Sequence, residues 1–247
     1  MPELIKEYGG VVPDPAIREY VASVGRSMLP HIESEYQSLP WEFTVLNSKV
    51  INAFALPGGK VFISRALLEE MTNEAQLAGV LGHEIGHVTA EHADKHIQRA
   101  MGLQIGAAVA GIFAAESSAA IQAATEVLVS GAGTFALKFG RDEELEADSL
   151  GIRYMVAQRY NPVGQLEVMQ ILKTAAGEGA PPEWLSTHPA PKTRIEKIEK
   201  MLANKYAYTQ SDPAYVLNAE EFRRQCLERL KRLPPATAGV PTDPAVL

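Results

Sequence analysis

Gly79-Val80-Leu81-Gly82-His83-Glu84-Ile85-Gly86-His87-Val88 places the order His-Glu-x-x-His inside a stretch, Glu74 to about Arg99, that reads as one long helix. Residues four apart on a helix lie about one turn apart on nearly the same face. His83 and His87 can therefore direct both imidazoles at one metal ion. Glu84 projects from the adjoining edge, within reach of a metal-bound water without binding the metal itself. Such a set suits a zinc hydrolase, in which the metal acidifies water and a carboxylate takes its proton. The same five positions also arise by chance as a polar stripe on a surface helix. The rest of the chain has to separate the two readings.

The bulk numbers exclude several classes. At 247 residues the chain has ample length for a core. Its 46% hydrophobic and 21% charged residues are ordinary for a globular protein. A net charge of −7, with no basic-aromatic patch, argues against nucleic acid as a partner. The single cysteine, Cys226, excludes an internal disulfide framework and a cysteine-based zinc site. The first ten residues lack a basic-then-apolar signal, so the chain reads either as cytoplasmic or as a mature form whose signal has been removed.

Along the chain, Asp14-Pro15 opens a helix with an N-cap and a proline at the first helical position, and Ile17, Val21, Val24 and Met28 follow at helical spacing. His31 reads as solvated. Residues 41–63 switch to strand alternation around the turn Pro57-Gly58-Gly59, which predicts a small antiparallel sheet. Ser64 and Asn73 are helix caps, Gln76 completing a capping box on Asn73. Gly79, Gly82 and Gly86 within the long helix either admit close approach of a helix or substrate or are tolerated packing residues. His92 and His96 point away from the motif face on a continuous helix and read as solvated, while Glu91 shares the face of His87. Residues 101–139 are rich in Ala and Gly. They form either core helices or a cover over the site that also touches membranes at the periphery. Trp184 to Pro191 reads as irregular and proline-locked, Asn218 caps a last helix, and residues 234–247 read as a disordered tail after one domain spanning 1–233.

A catalytic zinc takes three protein ligands and a water. The metzincin extension would need glycine and histidine where Ala90 and Ala93 stand, so that class is excluded. A carboxylate from a second helix is the other common solution, and Glu144-Leu145-Glu146-Ala147-Asp148 supplies one. Glu144 can bind metal. Asp148, a turn later, can accept a hydrogen bond from the outer nitrogen of a zinc-binding histidine and fix its tautomer. Glu143 and Glu146 read as complements to the helix dipole.

With these in place, four motifs occur in one order: Asn52 to Gly59, His83 to His87, Glu144 to Asp148, and Ser186-Thr187-His188-Pro189. Over about residues 10–205 the chain resembles the zinc metallopeptidases related to HtpX, the CaaX prenyl proteases, and the mitochondrial and periplasmic OMA- and BepA-type quality-control proteases. The resemblance implies an α+β, mostly α, zincin-like (gluzincin-type) fold with one Zn2+ per chain. It implies His83, His87 and Glu144 as ligands, Glu84 as general base and Asp148 behind a ligand. The strand Asn52, Ala53, Phe54, Ala55 would be the edge to which an extended protein or peptide substrate adds. His188 would approach the metal and regulate access, or donate a hydrogen bond in the transition state, or be structural. Arg194 is available to anchor its segment through a carboxylate. The implied function is a zinc-dependent endopeptidase in protein quality control, periplasmic or at the cell envelope. A chaperone-like or binding protein with a self-inhibited zinc site is the alternative, and a zinc hydrolase of smaller substrates, such as an aminopeptidase, is a third.

Overall fold

The computed structural model describes residues 2–98, 138–177, 182–189 and 191–236. The expected pair of small-residue helices over 101–139 lies outside these residues except for Lys138 and Phe139, as does the tail beyond Ala236. Among the described residues, no helix is long and apolar enough to cross a membrane. The chain is mostly helical around one small sheet.

Helix α1 (Pro2–Glu7) leads to α2 (Pro15–Met28). As expected, the Asp14 side chain accepts from the Ala16 amide at 2.8 Å, a cap worth about 1 kcal/mol. Ile17, Val21, Val24 and Met28 are buried along one face. After the short α3 (Ser34–Gln37) come β1 (Glu42–Leu46), β2 (Ala53–Leu56) and β3 (Lys60–Ser64).

The sheet is mixed, not antiparallel throughout. Its order is β1-β3-β2, with β2 antiparallel to β3 and β1 parallel to it. Gly58 and Gly59 close the β2–β3 hairpin at φ +79° and +80°, conformations that L side chains resist. Residues 47–52 carry the chain past the position that β3 later fills, which leaves β2 at an edge. One face of the sheet sends Phe43, Val45, Val61 and Ile63 into the main core. The other packs Leu46, Phe62 and Phe54 under Leu4, Ile5 and Tyr8 of the N-terminal segment. Each such aliphatic side chain contributes about 1.5–3 kcal/mol by leaving water.

Helix α4 (Arg65–Glu70) is capped by Ser64, and α5 (Glu74–Thr89) by Asn73, whose side chain accepts from the Gln76 amide. The Gln76 side chain returns to the Thr72 amide rather than to that of Asn73. All 16 residues of α5 are buried. A helix covered on every side is a core helix, so the surface-stripe reading of His-Glu-x-x-His is excluded. Helix α6 (Arg141–Ala157) crosses α5, and α7 (Val163–Gly177) packs along α5. The crossing is backbone on backbone: a Cβ on Gly151 would stand 2.8 Å from the Gly82 carbonyl carbon and from the His83 nitrogen. Of the two readings of the α5 glycines, close approach of a second helix is the one realised.

Four local expectations are corrected. The helix of the motif does not run on to Arg99; it ends at Thr89, Glu91 takes a left-handed φ of 56°, and residues 92–98 set out in a new direction. Trp184 to Pro191 is less irregular than predicted, because α8 (Glu183–Thr187) precedes His188, and α9 (Pro191–Ala203) follows. Asn218 is left-handed at φ 50° and makes no side-chain cap; its amide donates to Glu74 at 2.8 Å. Glu91 is exposed and accepts from the Tyr36 hydroxyl at 3.0 Å, away from His87.

Candidate metal centre

The α5–α6 crossing, closed by the α8–α9 connection, brings His83, His87, Glu144 and His188 together in a buried cluster. One ligand atom from each lies within 4.8 Å of the others. The Nε2 atoms of His83 and His87 are 3.0 Å apart. His188 Nδ1 is 3.3 Å from His83 Nε2 and 2.8 Å from Glu144 Oε1. His87 Nε2 stands 3.4 Å from Glu144 Oε1. Around a tetrahedral zinc with bonds of about 2.0–2.1 Å, neighbouring donors are about 3.3 Å apart. The observed separations bracket that value, and imidazole and carboxylate are the donor types zinc takes from a protein without thiolate. The residues fit the ion. The chain's thiol takes no part: Cys226 is buried in the main core, and burial pushes it up to about 12.

Glu84 is fully buried beside the cluster but not in it. Its Oε1 is 3.5 Å from the Trp184 indole nitrogen and 3.7 Å from His188 Nε2. Asp148 stands behind His83, its Oδ1 3.0 Å from Nδ1. Arg194, wholly buried, holds that carboxylate with two nitrogens at 2.6 and 2.7 Å and forms an ion pair with Glu144 at 2.5 Å. Its guanidinium also lies over the Trp184 ring, 4.7 Å from the centroid.

Electrostatics follow from this packing. Burial alone would raise the Glu144 carboxyl, but the charges of His188 and Arg194 outweigh it and hold the group far below the carboxylate range. Asp148 is likewise lowered, burial being overcome by Arg194 and then His83. Burial, with His83 and His188 nearby, keeps His87 neutral well below its ordinary titration despite Glu144. His87 and Glu144 are thus held in the neutral and ionised forms that bind metal, whereas His188 is raised, burial being overcome by Glu144 and Glu84.

Asn52, Ala53, Phe54 and Ala55, the residues expected to form a substrate edge, lie on and just before β2 at the sheet edge. Asn52 and Ala53 are buried, and Phe54 stacks on Phe62 at 4.8 Å. The α8 segment already leans on this edge. The Trp184 amide donates to the Ile51 carbonyl at 3.4 Å, and Glu183 accepts from Asn52 at 3.1 Å and Tyr8 at 2.7 Å.

Two histidines read as solvated are not. His92 is buried, its Nδ1 2.9 Å from His87 Nδ1 and its Nε2 3.3 Å from Glu146. His96 is half-buried, 2.8 Å from Glu143, which also caps the Gly140 amide. Glu143 and Glu146 thus do more than complement a dipole. His31 is exposed, as expected.

A helix-borne pair of histidines, a glutamate from a crossing helix and an adjacent unligated glutamate define the metallopeptidase class of site. The sequence profile described as Peptidase family M48 matches residues 15–202, and the chain belongs to that family. It is 32% identical over 217 residues to the Beta-barrel assembly-enhancing protease of Escherichia coli (strain K12), covering 86% of this chain and 43% of that protein. To the Mitochondrial metalloendopeptidase OMA1 of Schizosaccharomyces pombe it is 30% identical over 217 residues, covering 81% and 63%. To that of Arabidopsis thaliana it is 31% identical over 165 residues, covering 67% and 32%. The chain therefore spans less than half the length of the Escherichia coli relative. Zinc is the metal of this family, and the buried cluster suits it.

Proposed function

We propose that the chain is a zinc-dependent endopeptidase, with residues 1–233 acting as one peptidase unit and His83, His87 and Glu144 holding the ion. The observation that carries this reading is the buried four-donor cluster with Glu84 beside it and outside it. When bound, zinc supplies a Lewis acid for the scissile carbonyl and acidifies a water. Glu84 takes the proton of that water and delivers it to the leaving amine. Its Oε2 is buried with no hydrogen-bond partner among the described residues, as an acceptor awaiting a proton requires. Asp148, fixed by Arg194, orients His83. His188 would be a fourth donor to the ion, and by holding or leaving that place it would regulate access to the metal. An extended peptide adds to β2, in competition with the α8 contacts at Ile51 and Asn52. The setting is protein quality control, in the periplasm or at the cell envelope; the likeness to the Escherichia coli protease supports that location, while the OMA1 relatives are mitochondrial. Family membership does not favour the chaperone-like alternative.

The test is casein digestion by wild type and Glu84→Gln, with and without a zinc chelator, alongside metal analysis. Wild type should cleave and chelation should stop it. Glu84→Gln should keep about one zinc and lose cleavage by about 10²-fold or more. Retained cleavage by Glu84→Gln overturns its role, and zinc-loaded wild type without cleavage returns the chaperone-like reading.

A further inference from the structure

The two motif histidines are backed differently. Behind His83 stands a carboxylate, Asp148, whereas the outer nitrogen of His87 faces another imidazole: His87 Nδ1 and His92 Nδ1 are 2.9 Å apart. Two ring nitrogens at that distance share one proton, so one donates and the other accepts. His87 turns Nε2 into the cluster, 3.0 Å from His83 Nε2 and 3.4 Å from Glu144. A neutral imidazole whose Nε2 lone pair serves a metal carries its proton on Nδ1. His87 therefore donates, and His92 Nδ1 must present a lone pair. The proton of His92 is then on Nε2, which lies 3.3 Å from Glu146 Oε2. Each proton in the chain from Glu146 through His92 to His87 has one place.

We infer that His92 and Glu146 are positioning residues that fix the tautomer and ring orientation of His87. The inference rests on the zinc reading above. The geometry is built for it: the turn at Glu91, at φ 56°, folds residues 92–98 back so that His92 packs nearly edge-on against His87, ring centroids 5.0 Å apart and planes at 71°. Glu146 comes from the same helix that supplies Glu144, so one helix provides both the ligand and the outer end of the relay. His92 is buried, while the Glu146 side chain is 59% exposed, so the relay runs from the dry cluster to its rim.

Zinc affinity of the full chain, measured by competition with a chromophoric chelator, tests this independently of cleavage. His92→Leu should bind zinc about 10- to 100-fold more weakly, the usual loss when the outer partner of a metal-binding histidine is removed. His92→Gln, whose amide oxygen can accept from His87 Nδ1, should recover to within several-fold of wild type. Glu146→Ala, at a largely exposed site that leaves the core intact, should lose several-fold. Wild-type affinity in a folded His92→Leu, or His92→Gln as weak as His92→Leu, overturns the relay. Should His92→Leu not fold, unchanged affinity in Glu146→Ala overturns it instead. A wild type that binds no zinc sinks the metal reading beneath it, which is a different result from variants that all match a zinc-binding wild type.

Discussion

Gly151→Ala puts one methyl group where α6 meets α5. The added carbon would sit 2.8 Å from the Gly82 carbonyl carbon and the His83 nitrogen and 3.0 Å from the Gly82 oxygen, all backbone atoms that cannot rotate aside. Restoring an ordinary contact of 3.4 Å requires the helices to part locally by about 0.6 Å. Alanine in place of glycine gains a helix about 1 kcal/mol. Overpacking costs about 1–3 kcal/mol, and rigid backbone on both sides places this case at the upper end. The net is a loss of about 1–2 kcal/mol, or about 3–6 °C in Tm for a chain of this size. The same displacement moves Glu144 relative to His83 and His87. Zinc–ligand distances tolerate only about ±0.2 Å, so affinity should fall about tenfold. Thermal unfolding followed by circular dichroism, with and without chelator, separates the terms: the chelated protein reads the steric loss and the loaded protein reads both. A Tm raised by the propensity gain, with unchanged zinc affinity, would refute the reasoning.

Arg194→Met keeps volume but leaves Asp148 and Glu144 buried without their cation. It should destabilise the chelated protein by about 3–5 kcal/mol at pH 7, read from urea midpoints, and the deficit should shrink near pH 3 as the two carboxyls take up protons; an equal deficit at both pH values counts against the pairing. The chelated wild type should lose stability on acidification in two windows. Below about pH 6.5 the unfolded chain protonates a histidine that folded His87 keeps neutral. From about pH 4 downward the unfolded chain protonates carboxyls that stay ionised in folded Glu144 and Asp148, because their folded values are depressed. A urea midpoint flat from pH 7 to pH 3 would contradict both.

The features legible in the sequence are those set by spacing within one element. His83 and His87, or Glu144 and Asp148, are four apart, and helix geometry alone puts each pair on one face. Asp14-Pro15 and Asn73 announce their caps by residue type. The juxtapositions that escaped depend on chain direction between elements. His92 lies within the site because the helix breaks at Glu91, a residue that seldom takes positive φ and gives no turn signal. Once the helix is taken as straight, His92 falls on its far side. The parallel pairing of β1 with β3 was hidden for a similar reason, since three strands with one tight hairpin leave the placement of the first to the packing beneath. Arg194 was visible as an anchor, but its simultaneous grip on Asp148 and Glu144 follows from where α9 lands.

The position of Trp184 gives the protein an optical reporter of its own. The chain has two tryptophans, and Trp41 packs against Phe43 at the sheet. Trp184 stacks on the His188 ring at 4.5 Å, carries Arg194 over its face and points its indole nitrogen at Glu84. In a Trp41→Phe background all tryptophan emission comes from a ring touching His188, Arg194 and Glu84. A movement of the α8 segment away from the cluster would separate fluorophore from imidazole and change emission intensity and wavelength, so entry of a peptide can be timed in a stopped-flow instrument without a label.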